Sequence, residues 1–307
     1  MSNLKAPFPW FGGKSRVAET VWDRFGNVPN YVEPFFGSGA VLLGRPSAPG
    51  IETVNDKDCY LANFWRALRS DPEGLASLAD WPVNEADLHA RHLWLVNREG
   101  FRERMKTEPE YFDLRVAAWW VWGIAQWIGG GWCALKGCGR GVKRQRPHLG
   151  NAGQGVNRKL PHLGDAGAAL AGYFSALAER LRRVRVCCGD WARVCGPSPT
   201  FKHGLTGVFL DPPYTADAGR NADLYATDDL SIGHEVCAWA VASGENPLLR
   251  IAVCGYEGEY VFPGDWECVA WKAAGGYGSR ADGAGRDNCL RERIWFSPHC
   301  LRLPSLF

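Results

Sequence analysis

The stretch "GVFLDPPYTA" (207–216) sets a carboxylate, two prolines and an aromatic ring directly after an apolar run. The apolar start predicts a buried strand, and Pro212 and Pro213 end it because proline has no N–H to donate to a sheet ladder. Residues before prolines adopt extended geometry, so Asp211 and Tyr214 flank a stiff segment. This segment lies at the carboxyl end of a strand, which is where open α/β sheets bind ligands.

A second stretch, "YVEPFFGSGAV" (31–41), runs from a predicted strand through two glycines into a helix-like segment. Gly37 and Gly39 at such a turn let a ligand approach the backbone and expose amides at a helix N-terminus. A dinucleotide-binding fingerprint would have a third glycine at position 42, which is Leu42. The pattern therefore disfavours NAD.

Acidic residues end three of the apolar runs. Asp56 ends "IETVND" (51–56), and an acid at the tip of the second strand suits a pair of ribose hydroxyls. Asp190 and Asp211 end two later runs in the same way. Each acid alone could be a helix cap, but together with the glycine turn they predict a nucleoside-containing cofactor.

Predicted strands alternate with predicted helices over most of the chain. This alternation predicts a doubly wound α/β fold with a mostly parallel sheet covered on both faces. The interval 65–165 breaks the alternation and predicts an inserted, mainly helical domain. The predicted strands are 31–36, 51–56, 184–190, 207–214, 248–256, 266–271 and 291–298, and the predicted helices are 15–25, 60–69, 170–183 and 228–243.

The composition predicts a large core, with 307 residues of which 46% are hydrophobic. The chain has no long apolar segment and its N-terminus does not resemble a signal peptide, so we expect a cytoplasmic protein without a membrane partner. The 11 cysteines are an odd number and mostly lie in apolar runs, which predicts buried thiols rather than disulfides. Cys133 and Cys138 form C-x4-C without a second matching pair, so we expect no metal.

Positive charge is concentrated in the tract 136–165. It contains seven basic residues and one acid, a net charge of +6, whereas the whole chain carries +2. Such a tract predicts contacts with a polyanion, in which side chains and backbone amides follow a phosphate backbone. The alternative is a flexible surface loop in which the repeat "PHLG" (147–150 and 161–164) duplicated. The candidate phosphate contacts are Arg140, Lys143, Arg144, Arg146, Arg158 and Lys159.

Tryptophans are frequent near the end of the helical part of the interval 65–165. Their spacing mixes several helix faces, so we predict packing in a core rather than stacking on bases. They are Trp119, Trp120, Trp122, Trp127 and Trp132.

Outside the interval 65–165, the chain resembles the Dam-type (D12 class) DNA adenine-N6 methyltransferases. In that class, target recognition is inserted between the cofactor and catalytic motifs. The resemblance implies a cofactor-binding part at 1–64, a target-recognition domain at 65–165 and a catalytic part at 166–307. The matching motifs are "PFPWFGGKSR" (7–16), "EPFFGSGAV" (33–41), "ND" (55–56), "GDW" (189–191) and "DPPY" (211–214).

The resemblance also implies the ligands and a role for each motif residue. S-adenosylmethionine is the implied methyl donor and double-stranded DNA the implied substrate, as in restriction–modification, with no obligatory protein partner. The implied cofactor-binding residues are Trp10 and Lys14 from the first motif, Glu33, Gly37 and Gly39 around the methionine portion, Asp56 on the ribose, Asp190 near the adenine, and Asp211. The implied catalytic residues, where a flipped adenine is held, are Asp211, Pro212 and Tyr214.

The chemistry of adenine agrees with this assignment. The N6 amino group is a poor nucleophile because its lone pair is delocalised into the ring. Asp211 and the Pro212 carbonyl can accept hydrogen bonds from N6–H and so concentrate charge on nitrogen as the methyl group arrives. Tyr214 offers a flat surface to a base taken out of the duplex.

Four alternatives to adenine-N6 methylation can be compared with the sequence. Cytosine-C5 methylation needs a nucleophilic cysteine, usually after proline, and this chain has no Pro-Cys pair. Cytosine-N4 enzymes share the chemistry but more often have serine where Asp211 stands, and protein-glutamine methyltransferases usually have asparagine there. A catalytically silent DNA-binding protein of the same fold is the fourth.

Overall fold

A computed structural model of the chain describes residues 4–10, 13–47, 50–108, 110–127, 132–133, 170–213, 232–271 and 291–302. Within these residues lies a seven-stranded sheet of order β3-β2-β1-β4-β5-β7-β6. The strands are β1 (Asn30–Glu33), β2 (Ile51–Asp56), β3 (Arg185–Cys188), β4 (Thr206–Leu210), β5 (Leu249–Tyr256), β6 (Glu267–Ala270) and β7 (Glu292–Phe296).

Five neighbouring strands of the sheet, in the order β3-β2-β1-β4-β5, are parallel. The remaining two form an antiparallel edge, in which β7 pairs with both β5 and β6. This is the mostly parallel, doubly wound α/β sheet predicted from the sequence.

The helices cover both faces of this sheet. The predicted helix 15–25 is a 3-10 turn, Lys14–Arg16, followed by α1, and the first part of the predicted helix 228–243 lies outside the described residues. The helices are α1 (Ala18–Phe25), α2 (Ala40–Leu43), α3 (Cys59–Ser70), α4 (Pro72–Ala79), α5 (Glu85–Val96), α6 (Phe101–Thr107), α7 (Leu114–Gln126), α8 (Leu170–Leu181) and α9 (Ile232–Ser243).

Alternate residues of the central strands face two separate cores, as the pleat of a strand requires. On β4, Phe209 lies in the larger core with Phe25 of α1 and Phe64 of α3. Val208 and Leu210 lie in the second core, which α9 covers. Burial on both faces explains why this strand reads as a continuous apolar run rather than an alternating one.

The order in which successive strands are added to the sheet reverses between β1 and β4, although these two strands are parallel. From β1 the chain continues to β2 and β3 on one side, and from β4 it continues to β5 on the other. Ligands of doubly wound sheets bind outside the carboxyl ends of the strands at such a switch point. The glycine turn follows β1 and Asp211 follows β4, so both border this crevice.

The strand before "DPPY" ends earlier than predicted. We predicted a strand over 207–214, but β4 ends at Leu210. Asp211, Pro212 and Pro213 leave the ladder because the two prolines cannot donate to it.

The tryptophans of the interval 65–165 are packed as predicted. Trp120, Trp122, Trp127 and Trp132 are buried in the larger core, and Trp119 packs against it partly buried. Buried indole N–H groups find backbone acceptors: that of Trp122 donates to the carbonyl of Trp81 over 2.9 Å, and that of Trp132 to the carbonyl of Trp120 over 3.1 Å. These rings therefore stabilise the fold.

Helices α4 to α7 share the larger core with α1, α3 and α8. The boundary predicted at 64/65 falls inside α3 (Cys59–Ser70). The division into catalytic and target-recognition domains stays a prediction, because the tract that carries its basic residues lies outside the described residues.

Metals, disulfides and membrane spans were also predicted to be absent. Among the residues described, no group of three or more His, Cys, Asp or Glu could hold a metal, and Cys138 lies outside them. Nine cysteines are described and none is in a disulfide. No helix in the described part of the chain has the length and apolar character to cross a membrane.

Candidate active site

A pocket with an empty volume of about 720 Å³ opens at the carboxyl edge of the sheet, beside the switch point. It brings together five of the predicted site residues. Its lining consists of Trp10, Pro34, Phe35, Gly37, Asn55, Asp56, Lys57, Asp58, Gly189, Asp190, Trp191, Asp211, Pro213 and Ile232.

The glycine turn after β1 depends on both glycines. Gly37 has φ +49° and Gly39 has φ +73°, a region that glycine adopts without strain. A Cβ on Gly37 would lie 2.5 Å from the indole nitrogen of Trp10, and one on Gly39 would lie 2.8 Å from the ring of Phe36. The first motif therefore packs directly on the turn, and a side chain at position 37 would be strained and would displace the Trp10 ring.

Asp56 ties this turn to the end of β2. One carboxylate oxygen accepts from the N–H of Gly37 over 3.1 Å, and the other accepts from the N–H of Asp58 over 2.9 Å. Burial raises the pKa of Asp56 to about 7, although these backbone hydrogen bonds oppose the rise. The carboxyl group that was predicted to bind ribose therefore changes charge near neutral pH.

Asn55 is a positioning residue that the sequence analysis did not single out. Its side-chain amide donates to the carbonyls of Pro34 and Gly189, over 3.1 Å and 3.0 Å. It therefore links the segments that follow β1 and β3 across the end of β2. The only signal in the sequence was the polar residue before Asp56 in the "ND" motif.

Asp190 borders the pocket and also caps a 3-10 helix. Its carboxylate accepts from the N–H of Ala192 over 2.9 Å at the start of the helix Trp191–Val194. Beside it, the rings of Trp191 and Phe35 stack with centroids 6.2 Å apart. Asp190 is therefore a helix cap, which was the alternative given for these acids, and it also lines the pocket.

Asp211 forms an ion pair with Lys14. The Lys14 ammonium lies 2.8 Å from Asp211 Oδ1, and these side chains are 5% and 18% exposed. Burial lowers the pKa of Lys14, but attraction to Asp211, Cys254 and Glu292 outweighs it and raises the pKa above its usual value. Lys14 was predicted to bind cofactor, and the sequence contained no signal for its contact with the "DPPY" motif.

A smaller cavity, with an empty volume of about 260 Å³, adjoins the pocket around Glu33. Glu33 is buried, and burial raises the pKa of its carboxyl group well above its usual value, although the Tyr31 hydroxyl donates to it over 2.9 Å. Lys14 and Asp211 line the same cavity. Glu33 therefore offers a carboxyl group whose burial favours the protonated form.

Of the remaining predicted site residues, Pro212 is described by the structure and the others lie outside the described residues. Pro212 is buried behind Asp211, while Pro213 lines the pocket. Tyr214 lies outside the described residues, as do the six candidate phosphate contacts Arg140, Lys143, Arg144, Arg146, Arg158 and Lys159.

The sheet order, the antiparallel edge strand and the pocket at the switch point are those of a Rossmann-like methyltransferase fold. Residues 10–117 match the model of the D12 class N6 adenine-specific DNA methyltransferase family, so this part of the chain is similar to that family. The resemblance found in the sequence is confirmed. The matched region includes the glycine turn and Asp56, whereas Asp211 follows it.

The chain is also similar to a phage protein that is named as an adenine-N6 DNA methyltransferase. The DNA N-6-adenine-methyltransferase of Escherichia phage P1 is 29% identical over 111 residues. The match covers 36% of this chain and 14% of the relative's length.

Proposed function

We propose that this protein transfers a methyl group from S-adenosylmethionine to the N6 atom of adenine in double-stranded DNA. One observation carries the proposal: Asp211 of the "DPPY" motif lines the same pocket as Gly37 and Asp56. A group held by the glycine turn and Asp56 is then next to the acceptor that adenine needs. The family match over residues 10–117 supports the same activity.

The pocket has donors and acceptors suited to S-adenosylmethionine. Asp56 offers a carboxylate to ribose hydroxyls, and the stacked rings of Phe35 and Trp191 offer apolar faces to an adenine. The adjoining cavity, with Glu33 and Lys14, offers polar groups to a methionine portion. When bound, S-adenosylmethionine supplies an electrophilic methyl group.

Asp211 and Pro212 activate the nucleophile in this mechanism. The Asp211 carboxylate, which lies 2.8 Å from the Lys14 ammonium, can accept from one N6–H, and the Pro212 carbonyl can accept from the second. Both acceptors become more favourable as positive charge develops on N6, so they stabilise the transition state more than the ground state. No covalent intermediate with the protein is required.

Tyr214 follows this segment and would hold the target base. N6 of a paired adenine is engaged in the duplex, so the base must be extruded before Asp211 can reach it. An aromatic ring two residues after Pro212 offers a stacking surface to the extruded base.

The reaction product tests the proposal directly. The purified protein would be incubated with plasmid DNA and S-adenosylmethionine, and the nucleosides analysed by mass spectrometry. We expect N6-methyladenine among the nucleosides, and mapping of the plasmid at single-base resolution should place it at a specific sequence. N4-methylcytosine would support the alternative cytosine activity, and the absence of any methylated base would contradict methyl transfer to DNA.

Asp56→Ala should weaken cofactor binding by about 1–3 kcal/mol, or about 5- to 150-fold, through lost hydrogen bonds to ribose. Calorimetry with S-adenosylhomocysteine measures this directly. The exposed Asp23 on α1 provides the control, since Asp23→Ala should leave the affinity unchanged. Unchanged affinity in Asp56→Ala would refute the ribose assignment.

Cofactor affinity should also rise with pH through the pKa of Asp56. The ionised carboxylate accepts from both ribose hydroxyls, and with a pKa of about 7 it is the minor form at pH 6 and the major form at pH 8. Affinity should therefore increase by up to about tenfold over this interval. Asp56→Asn cannot ionise, so this part of the pH dependence should vanish in the variant. An identical pH profile in both proteins would assign it to another group.

Arg144→Ala/Arg146→Ala should weaken binding to all DNA sequences and reduce the salt dependence by about one unit per lost phosphate contact. The matched control is Arg182→Ala/Arg183→Ala, an exposed pair after α8 with the same change in charge. Fluorescence anisotropy at several salt concentrations measures both slopes. If the slope is unchanged in the first variant, the tract 136–165 is a loop without phosphate contacts.

A further inference from the structure

Two cysteines from different elements, one helix and one strand, lie in contact beside the pocket. Cys59 is the first residue of α3, directly after Asp58, and Cys188 is the last residue of β3, directly before Gly189. They are 129 residues apart in the chain, and their sulfur atoms lie 4.0 Å apart. We propose that Cys59 and Cys188 form a reversible oxidation site, whose disulfide distorts the pocket and weakens cofactor binding.

The local environment activates Cys59 as the attacking thiolate. A hydrogen bond from the Cys188 thiol lowers the pKa of Cys59 to about 7, while burial and Asp58 oppose the shift. Arg102 and Lys106 on α6 lower it further, and the N-terminus of α3 favours a negative charge. Cys59 itself is buried, but Cys188 is partly exposed, so a small oxidant can approach the pair.

Both cysteines are continuous with residues that line the pocket. Cys188 is paired in register with Asp56, and the N–H of Gly189 donates to the Asp56 carbonyl over 3.0 Å. A disulfide needs a sulfur–sulfur distance of about 2.0 Å, so the two sulfur atoms must approach each other by about 2 Å, which pulls on the two segments that carry them. One of these segments carries Asp56 and Asp58, and the other carries Asp190.

Hydrogen peroxide is a sufficient oxidant for this step. The Cys59 thiolate attacks one peroxide oxygen, the O–O bond breaks, and the departing hydroxide takes a proton to form water. The Cys188 sulfur then attacks the Cys59 sulfenic acid, the S–O bond breaks, and the oxygen leaves as water with the proton of Cys188. Two thiols and one peroxide thus give one disulfide and two waters, and two electrons pass from sulfur to oxygen.

The oxidation site is tested on the full-length protein by titration with hydrogen peroxide. Peptide mapping by mass spectrometry should detect a Cys59–Cys188 cross-link before oxidation of Cys268, an exposed cysteine on β6 that serves as the internal control. Dithiothreitol should remove the cross-link, and Cys188→Ser should prevent it. Oxidation of Cys268 without any Cys59–Cys188 cross-link would overturn the proposal.

The effect on binding rests on the proposed function and is measured separately, by calorimetry with S-adenosylhomocysteine. Since binding groups must be held to within about 0.5 Å, the cross-linked protein should bind at least about tenfold more weakly and recover with dithiothreitol. Peroxide should not change the affinity of Cys188→Ser for S-adenosylhomocysteine. In Cys268→Ser it should lower the affinity as much as in the unmodified protein. Equal affinity with and without the cross-link would refute the effect on the pocket. Failure of the reduced protein to bind would instead refute the proposed cofactor, while the cross-link still decides the oxidation site.

Discussion

Asp211→Asn is expected to slow methyl transfer by about 100- to 1,000-fold, the usual effect of removing one electrostatic group from a transition state. The amide retains the shape of the carboxylate but not its charge, so it stabilises the positive charge developing on N6 much less. Because Asp56 and the glycine turn are unchanged, S-adenosylhomocysteine should still bind, so the cofactor site can be saturated in the variant. Single-turnover methylation with saturating cofactor measures the chemical step.

Tyr214→Ala provides the comparison that separates acceptor chemistry from base extrusion. Loss of a stacked ring costs roughly 1–3 kcal/mol, so this variant should be slower by about 5- to 150-fold. A mismatched adenine is easier to extrude, and should recover part of the activity lost in Tyr214→Ala. It should not rescue Asp211→Asn, whose defect follows extrusion. Equal rescue of both variants, or of neither, would contradict this division of roles.

Lys14→Met should destabilise the folded protein by roughly 3 kcal/mol, the lower end of the range for breaking a buried ion pair. The variant leaves the Asp211 carboxylate without its cation 2.8 Å away, and 18% exposure of Asp211 lets water offset only part of the loss. Urea unfolding of both proteins gives the difference in free energy of unfolding.

The double variant Lys14→Met/Asp211→Asn tests whether the ion pair causes this loss. Since the second substitution removes the stranded charge, we expect a coupling energy of at least about 1 kcal/mol between the two sites. The surface pair Arg98–Asp113, in which Arg98 is 44% exposed, is the control. Arg98→Met should cost less than about 1 kcal/mol. Additive effects in the double variant would refute a stabilising Lys14–Asp211 pair.

The ion pair has a second consequence for catalysis. Lys14 comes from the first motif and Asp211 from the last, so the pair connects the two ends of the proposed cofactor site through one contact. It holds the Asp211 carboxylate in place beside the pocket. Lys14→Met should therefore slow methylation even at temperatures where the variant remains folded.

The amino-acid sequence by itself determined the features that depend on local chemistry. Apolar runs predicted the strands, because burial on both faces leaves no polar alternation. Prolines predicted the end of β4 near Asp211, and Gly37 and Gly39 predicted a turn that needs positive φ. Acids at strand ends predicted the lining of the pocket, because the carboxyl ends of parallel strands meet at one edge.

Only the tertiary structure decided which distant residues share that edge. The sequence order of the last strands does not reveal that β7 lies between β5 and β6. Neither spacing nor periodicity indicated that Lys14 pairs with Asp211, that Asn55 bridges Pro34 and Gly189, or that Cys59 meets Cys188. Each of these contacts joins residues from different elements, and its distance is set by the packing of helices on the sheet. Local sequence patterns do not predict that packing.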